Sequence, residues 1–152
     1  MTWFSALGAA LTEPQRDALA AYLEALGLGM PIRAVATWAE AGELCRRASD
    51  EWWRAEEAER ARLEETARLN PADPEWLALT DELYQAAARA GAGNAEAALI
   101  YAAAGAASYS AYHALLARAA GAAATHPFHL KYGLYCAGHW PLGVYDSQFR
   151  IF

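Results

Sequence analysis

The chain is short of lysine, of cysteine and, beyond its first two thirds, of charge. Lys131 stands alone against eleven arginines, and Cys45 and Cys136 are the only thiols. Two cysteines separated by most of the chain exclude the disulfide framework that staples small secreted domains. A length of 152 residues suffices to bury one core without such staples. After Glu96 the only formally charged residues are Arg118, Lys131, Asp146 and Arg150. Charged side chains face water and long uncharged runs leave it, so the carboxy-terminal third is expected to be the core of a single domain, an oligomer interface, or both.

Positive charge is also scarce where acids are dense. Residues 1–96 hold 17 acids against 9 bases, a charge of −8, while the remainder carries +2 of the total −6. An acidic front repels phosphate backbones, and no cluster of Lys or Arg interleaves with aromatics, which argues against nucleic acid as a partner. The apolar start, Met1 to Leu11, has no basic region before it and does not read as a signal peptide, so the cytoplasm is the expected location. The uncharged run from Ala97 to Ala117 is long enough to test as a membrane span. It fails on quality, because alanine is only mildly apolar, three tyrosines, two serines and His113 interrupt it, and no basic flank marks a cytoplasmic side.

Signatures of phosphate and hydrolytic chemistry are missing too. There is no G-x-x-x-x-G-K-[ST], no G-x-G-x-x-G after a strand, no H-E-x-x-H and no G-x-S-x-G.

What the chain does have is helical signal. Thr12 with Gln15 and Pro14 forms a capping-box start, and Leu19, Tyr22, Leu23 and Leu26 recur at helical spacing until Gly27 and Gly29. Thr37 and Glu40 mark a second start. From there an apolar stripe runs through Leu44, Cys45, Ala48, Trp52 and Ala55, and it admits either one long helix over about 32–69 or two helices meeting at Ser49. Arg54 to Arg68 alternates Glu and Arg at i, i+4 spacing, each pair worth roughly 0.2–0.5 kcal/mol, as on a solvated face. Asp73 and Pro74 open another helix, and Asn94 caps the next. The Ala97–Ala123 segment, non-polar all round yet built of small side chains, is expected at the centre, where Ala98, Ala102, Gly105 and Ala106 let neighbours approach closely.

Beyond it aromatics take over. Leu142–Tyr145 and Gln148–Phe152 read as a β-hairpin turning at Asp146 and Ser147, with Val144 opposite Phe149, Leu142 opposite Ile151, and Gln148 and Arg150 on the outer face. Such a hairpin needs helices or a third strand beneath it. Leu130, Tyr132, Leu134 and Cys136 alternate as that strand would, although Pro127 to Ala137 also fits a short helix. The expected architecture is mainly α, a bundle of four to five helices around the Ala-rich helix (1–123), closed by an aromatic element (124–152) with a hairpin at about 142–152.

Three groups of residues carry functional expectations. Adjacent Trp52 and Trp53 point about 100° apart on a helix. One of them is therefore expected at the surface, where with Glu56 and Glu57 it would form a hot spot for a protein partner or a second copy. An acidic interaction protein, of adaptor or toxin-neutralising type, is the leading functional reading. Tyr101, Tyr109, Tyr112 and His113 must find partners if buried, or else line a ligand pocket. His126, His129, Cys136 and His139 have ligand types that suit zinc, which makes a metal-binding protein or metal-dependent enzyme the alternative, although neither one helix nor one strand brings all four together. Cys136 with His129 or His139 and Asp146 is a generic nucleophile arrangement.

Overall fold

The computed structural model describes residues 1–152 and comprises six helices and three strands. Helix α1 spans Glu13–Ala25, strand β1 Ile32–Ala34, helix α2 Trp38–Cys45, α3 Asp50–Glu64, α4 Pro74–Gly91, α5 Ala97–Ala119 and α6 Pro127–Cys136, before strands β2 Pro141–Tyr145 and β3 Gln148–Ile151. The mainly-α architecture with a terminal hairpin is as the sequence indicates, with one helix more than expected.

Local chemistry sets most of these boundaries. At α1 both arms of the capping box form: Thr12 Oγ1 accepts from the Gln15 amide at 3.4 Å, and the Thr12 amide donates to Gln15 Oε1 at 2.9 Å. Asp73 Oδ1 accepts from the Glu75 and Trp76 amides, and Pro74 takes the first position of α4, where a missing N–H costs nothing. The stripe after Pro31 divides into α2 and α3 rather than one long helix. Ser49 sits at the break without capping α3, because its hydroxyl donates to the Val144 carbonyl at 3.0 Å and accepts from the Val144 amide at 2.8 Å. Asn94 caps a preparatory turn, accepting from the Glu96 amide at 2.8 Å, and α5 begins only after Glu96.

Helix α5 is the axis of the molecule. It packs on α4, α6 and α3, and alanines 103, 104, 107 and 111 are buried at those close approaches. Its first two thirds keep one partly open face, on which Tyr101 and Tyr109 are exposed. Residues 127–136 are helix α6, which packs against α1 and α5. The third strand that the hairpin requires comes from the other end of the chain. The sheet order is β1-β3-β2, with Ile32, Arg33 and Ala34 parallel to Phe149, Arg150 and Ile151.

The hairpin keeps the expected Val144–Phe149 pairing, but an irregularity between Pro141 and Gly143 places Pro141, not Leu142, opposite Ile151. Asp146 and Ser147 both adopt positive φ, 53° and 60°, the geometry of the tight hairpin turn whose twist matches its strands. Arg150 corrects the expected outer face. It is 6 % exposed, and Nη1 donates to Glu40 Oε1 of α2 at 3.0 Å, because α2 packs on the side of the sheet that a lone hairpin would turn to water.

Candidate functional site

The two tryptophans of α3 diverge as their helical phase requires. Trp52 turns inward, its ring edge-on to Phe149 at 5.4 Å and its Nε1–H donating to the Tyr22 hydroxyl at 2.6 Å. Trp53 is 61 % exposed. Beside it opens a cleft of about 310 Å³ whose lining includes Trp52, Ala102, Ala106, Trp140, Leu142 and Tyr145. Arg47 is its basic residue, and the guanidinium lies 5.0 Å from the Tyr145 ring centre.

Glu56 was expected on this surface and is not there. It is 7 % exposed and points into the protein, where it pairs with Lys131 of α6, itself 2 % exposed. The Tyr22 hydroxyl of α1 donates to Glu56 Oε1 at 2.5 Å. Two hydrogen bonds and one opposite charge thus satisfy a carboxylate that would otherwise be prohibitively costly to bury. The site joins three helices. Burial pushes the Lys131 amine below its ordinary range against the pull of Glu56, and burial with the neighbouring Glu56 charge pushes the Tyr22 phenol well above its own. Sequence reasoning missed this pair, whose one available signal was a single lysine placed in an otherwise uncharged, aromatic helix.

Glu57 does reach the surface. Together with Glu64 it holds Arg60: Arg60 Nε donates to Glu57 Oε2 at 2.9 Å and Nη1 to Glu64 Oε1 at 2.6 Å. Glu57 and Arg60 form the α3 side of a second cleft, of about 440 Å³, whose other lining residues are Pro71, Trp76, Tyr109 and Tyr112. Trp76 is fixed there by its Nε1–H bond to the Ser108 carbonyl at 2.9 Å and stands edge-on to Tyr112 at 5.4 Å.

Directly behind Tyr109 lies His113. The imidazole is 1 % exposed, 4.2 Å from the Tyr109 ring and stacked at 4.3 Å on Phe128, and neither ring nitrogen has a hydrogen-bond partner. Burial, reinforced by the positive charges of Lys131 and Arg60, lowers its pKa to about 2, so the ring is neutral at ordinary pH. Of the four residues grouped as a pocket in the sequence, the fold gathers Tyr109, Tyr112 and His113. It sends Tyr101 elsewhere, stacked on Tyr84 of α4 at 6.3 Å.

The His/Cys group does not assemble. His126 uses both nitrogens: Nδ1 accepts from the Phe128 amide at 3.2 Å, capping α6, and Nε2 pairs with Glu59 Oε1 at 2.6 Å. His139 Nε2 meets Gln15 Oε1 at 3.2 Å, and Cys136 Sγ lies 3.7 Å from Met1 Sδ. His126 and His129 are neighbours, with rings 6.1 Å apart, but no three His, Cys, Asp or Glu side chains converge where a metal could be held. Zinc therefore has no assembled ligand set, because α6 separates residues that lie close in sequence. Nor is Cys136 activated. Burial raises its thiol above the ordinary range, opposite to what a nucleophile needs, and Asp146 sits at the hairpin turn beside Arg47.

No helix is long and apolar enough to cross a membrane. Comparison with protein-family models, with curated proteins and with solved structures gives no match.

Proposed function

We propose that this chain is an interaction protein that works through the face centred on Trp53, and that the surface is built to take a second copy of itself. The observation that carries the reading is the pairing of an exposed tryptophan with an apolar cleft immediately beside it. A two-fold interface is self-complementary, so projection and recess must lie on one patch close to the axis. An indole presented next to a cleft of about 310 Å³ meets that requirement. Tryptophan is also the side chain most enriched among residues that dominate binding energy.

Charge supports the same occupant. Arg60 is shared between Glu57 and Glu64, and Arg62 donates to Glu59 at 2.9 Å, so the Glu/Arg block of α3 is largely neutralised within the chain. It leaves little field with which to select an oppositely charged partner. Glu56 takes no part, being committed to Lys131.

Light scattering over a concentration series tests this. The wild-type protein should reach dimer mass by roughly 100 μM, and Trp53→Ala should stay monomeric there with an unchanged fold. Ala106→Trp, which fills the recess rather than removing the projection, should do the same. A wild-type protein that is monomeric across the series sinks the second-copy reading.

A further inference from the structure

We propose that the cleft between Trp76 and Tyr109 is a binding site for a small uncharged aromatic compound bearing a hydroxyl or amide, and that His113 is the residue that reads this polar group. The cleft shares no lining residue with the one beside Trp53, although Glu57 stands one turn of α3 beyond Trp53.

His113 carries the argument. A neutral imidazole offers one N–H donor and one nitrogen acceptor, and a side chain this deeply buried normally has both engaged. Here neither is. Phe128 stacks on one ring face, Tyr109 meets the imidazole at a tilt of 56° and a centroid distance of 4.2 Å, and both ring nitrogens are left unanswered. The chain thus holds an unused donor and acceptor one aromatic ring behind an open cleft.

That intervening ring is the movable part. Tyr109 is 45 % exposed and lines the cleft with Trp76 and Tyr112. Rotamer changes of exposed side chains are fast. Turning Tyr109 outward extends the cleft to the imidazole, whereas Trp76 is pinned by its bond to Ser108 and Arg60 by its two carboxylates. The walls that remain are aromatic and present faces and edges to a planar guest. The two charged residues of the lining, Arg60 and Glu57, offset each other, so the mouth favours neither anion nor cation. A neutral, flat guest with one polar group is what these surfaces select.

Phenol and toluene, alike in shape and different in one hydroxyl, form the test. Protein carrying nitrogen-15 histidine is titrated with each, and the His113 ring nitrogens are followed by NMR. Phenol should shift them saturably and bind roughly tenfold more tightly than toluene, the increment expected of one hydrogen bond in a dry site. His113→Phe, which keeps the stack on Phe128, should bind the two compounds equally, and Tyr109→Ala should bind phenol more tightly than wild type. The wild-type comparison needs no variant, so the test survives if His113→Phe does not fold. Equal binding of phenol and toluene by the wild-type protein overturns the proposal. So does phenol binding that leaves the His113 nitrogens unmoved, or that shifts only residues around Trp53. Trp53→Ala should leave the phenol titration unchanged, which keeps this test distinct from that of self-association.

Discussion

Lys131 and Glu56, 75 residues apart in sequence, form a buried ion pair that ties α6 to α3, with Tyr22 of α1 donating to the same carboxylate oxygen. Removing one partner strands the other charge. Glu56→Leu should cost about 3–5 kcal/mol, and the double change Glu56→Leu with Lys131→Met should cost less than Glu56→Leu alone, since apolar pairs often replace buried ion pairs without loss. Urea denaturation of the two variants checks this, and a double variant that is less stable than the single one would contradict it.

Lys131 is the one lysine in the sequence and is almost wholly enclosed. An amine-reactive ester should therefore modify it at least about a hundredfold more slowly in the native protein than in urea, because access requires opening of the core. Peptide mass spectrometry after brief labelling reads the ratio directly. Comparable rates in the two conditions would mean that α6 is not packed as described.

Acidification should act through His113. Its folded pKa, lowered to about 2, lies below the unfolded value of 6.5, so below pH 6.5 the unfolded chain binds a proton that the native state refuses. Stability therefore falls as pH drops from 6.5, at up to about 1.4 kcal/mol per unit, and the loss continues toward the folded pKa. Between pH 7.5 and pH 5 the wild-type protein should lose about 2 kcal/mol more than His113→Phe, measured by urea unfolding at each pH. The variant should also be the more stable protein at neutral pH, by roughly 1–3 kcal/mol, having no unanswered polar edge to bury. Parallel pH profiles for the two proteins would show that His113 is not neutral in the fold.

Gly143 has a φ of 125°, and a Cβ there would fall 2.8 Å from Trp52 Cε3 and 2.9 Å from the Ser49 side chain. Gly143→Ala should destabilise the protein by about 1–3 kcal/mol through combined overpacking and backbone strain. It should also disturb Trp52 fluorescence. A thermal midpoint within error of wild type would remove this contact from the account.

Features carried by neighbouring residues could be read from the sequence. The Thr12–Gln15 box, the Asp73–Pro74 start and the Asp146–Ser147 turn each depend on a few adjacent positions, and each forms in the structure. The divergence of Trp52 and Trp53 follows from helical geometry alone. What could not be read depends on distance. Strand β1 is three residues long, too short for its Ile-Arg-Ala alternation to signal a strand, and it is a strand because β3 lies beside it. Glu56 looked like any acid in an Arg-laced helix, and only the position of Lys131 above it turns that phase of α3 inward. The His/Cys group misled for the converse reason: proximity in sequence became separation once α6 formed, and His126 was needed as a cap.

The central place of β3 in the sheet has a consequence for synthesis. Ile32–Ala34 are made long before Gln148–Ile151, the only strand they pair with, whereas β2 is followed by β3 almost at once. At about 5–20 residues per second, the nascent chain carries an unclosed edge for several seconds, a window in which chaperone contact or mispairing with a neighbouring polysome product competes with completion.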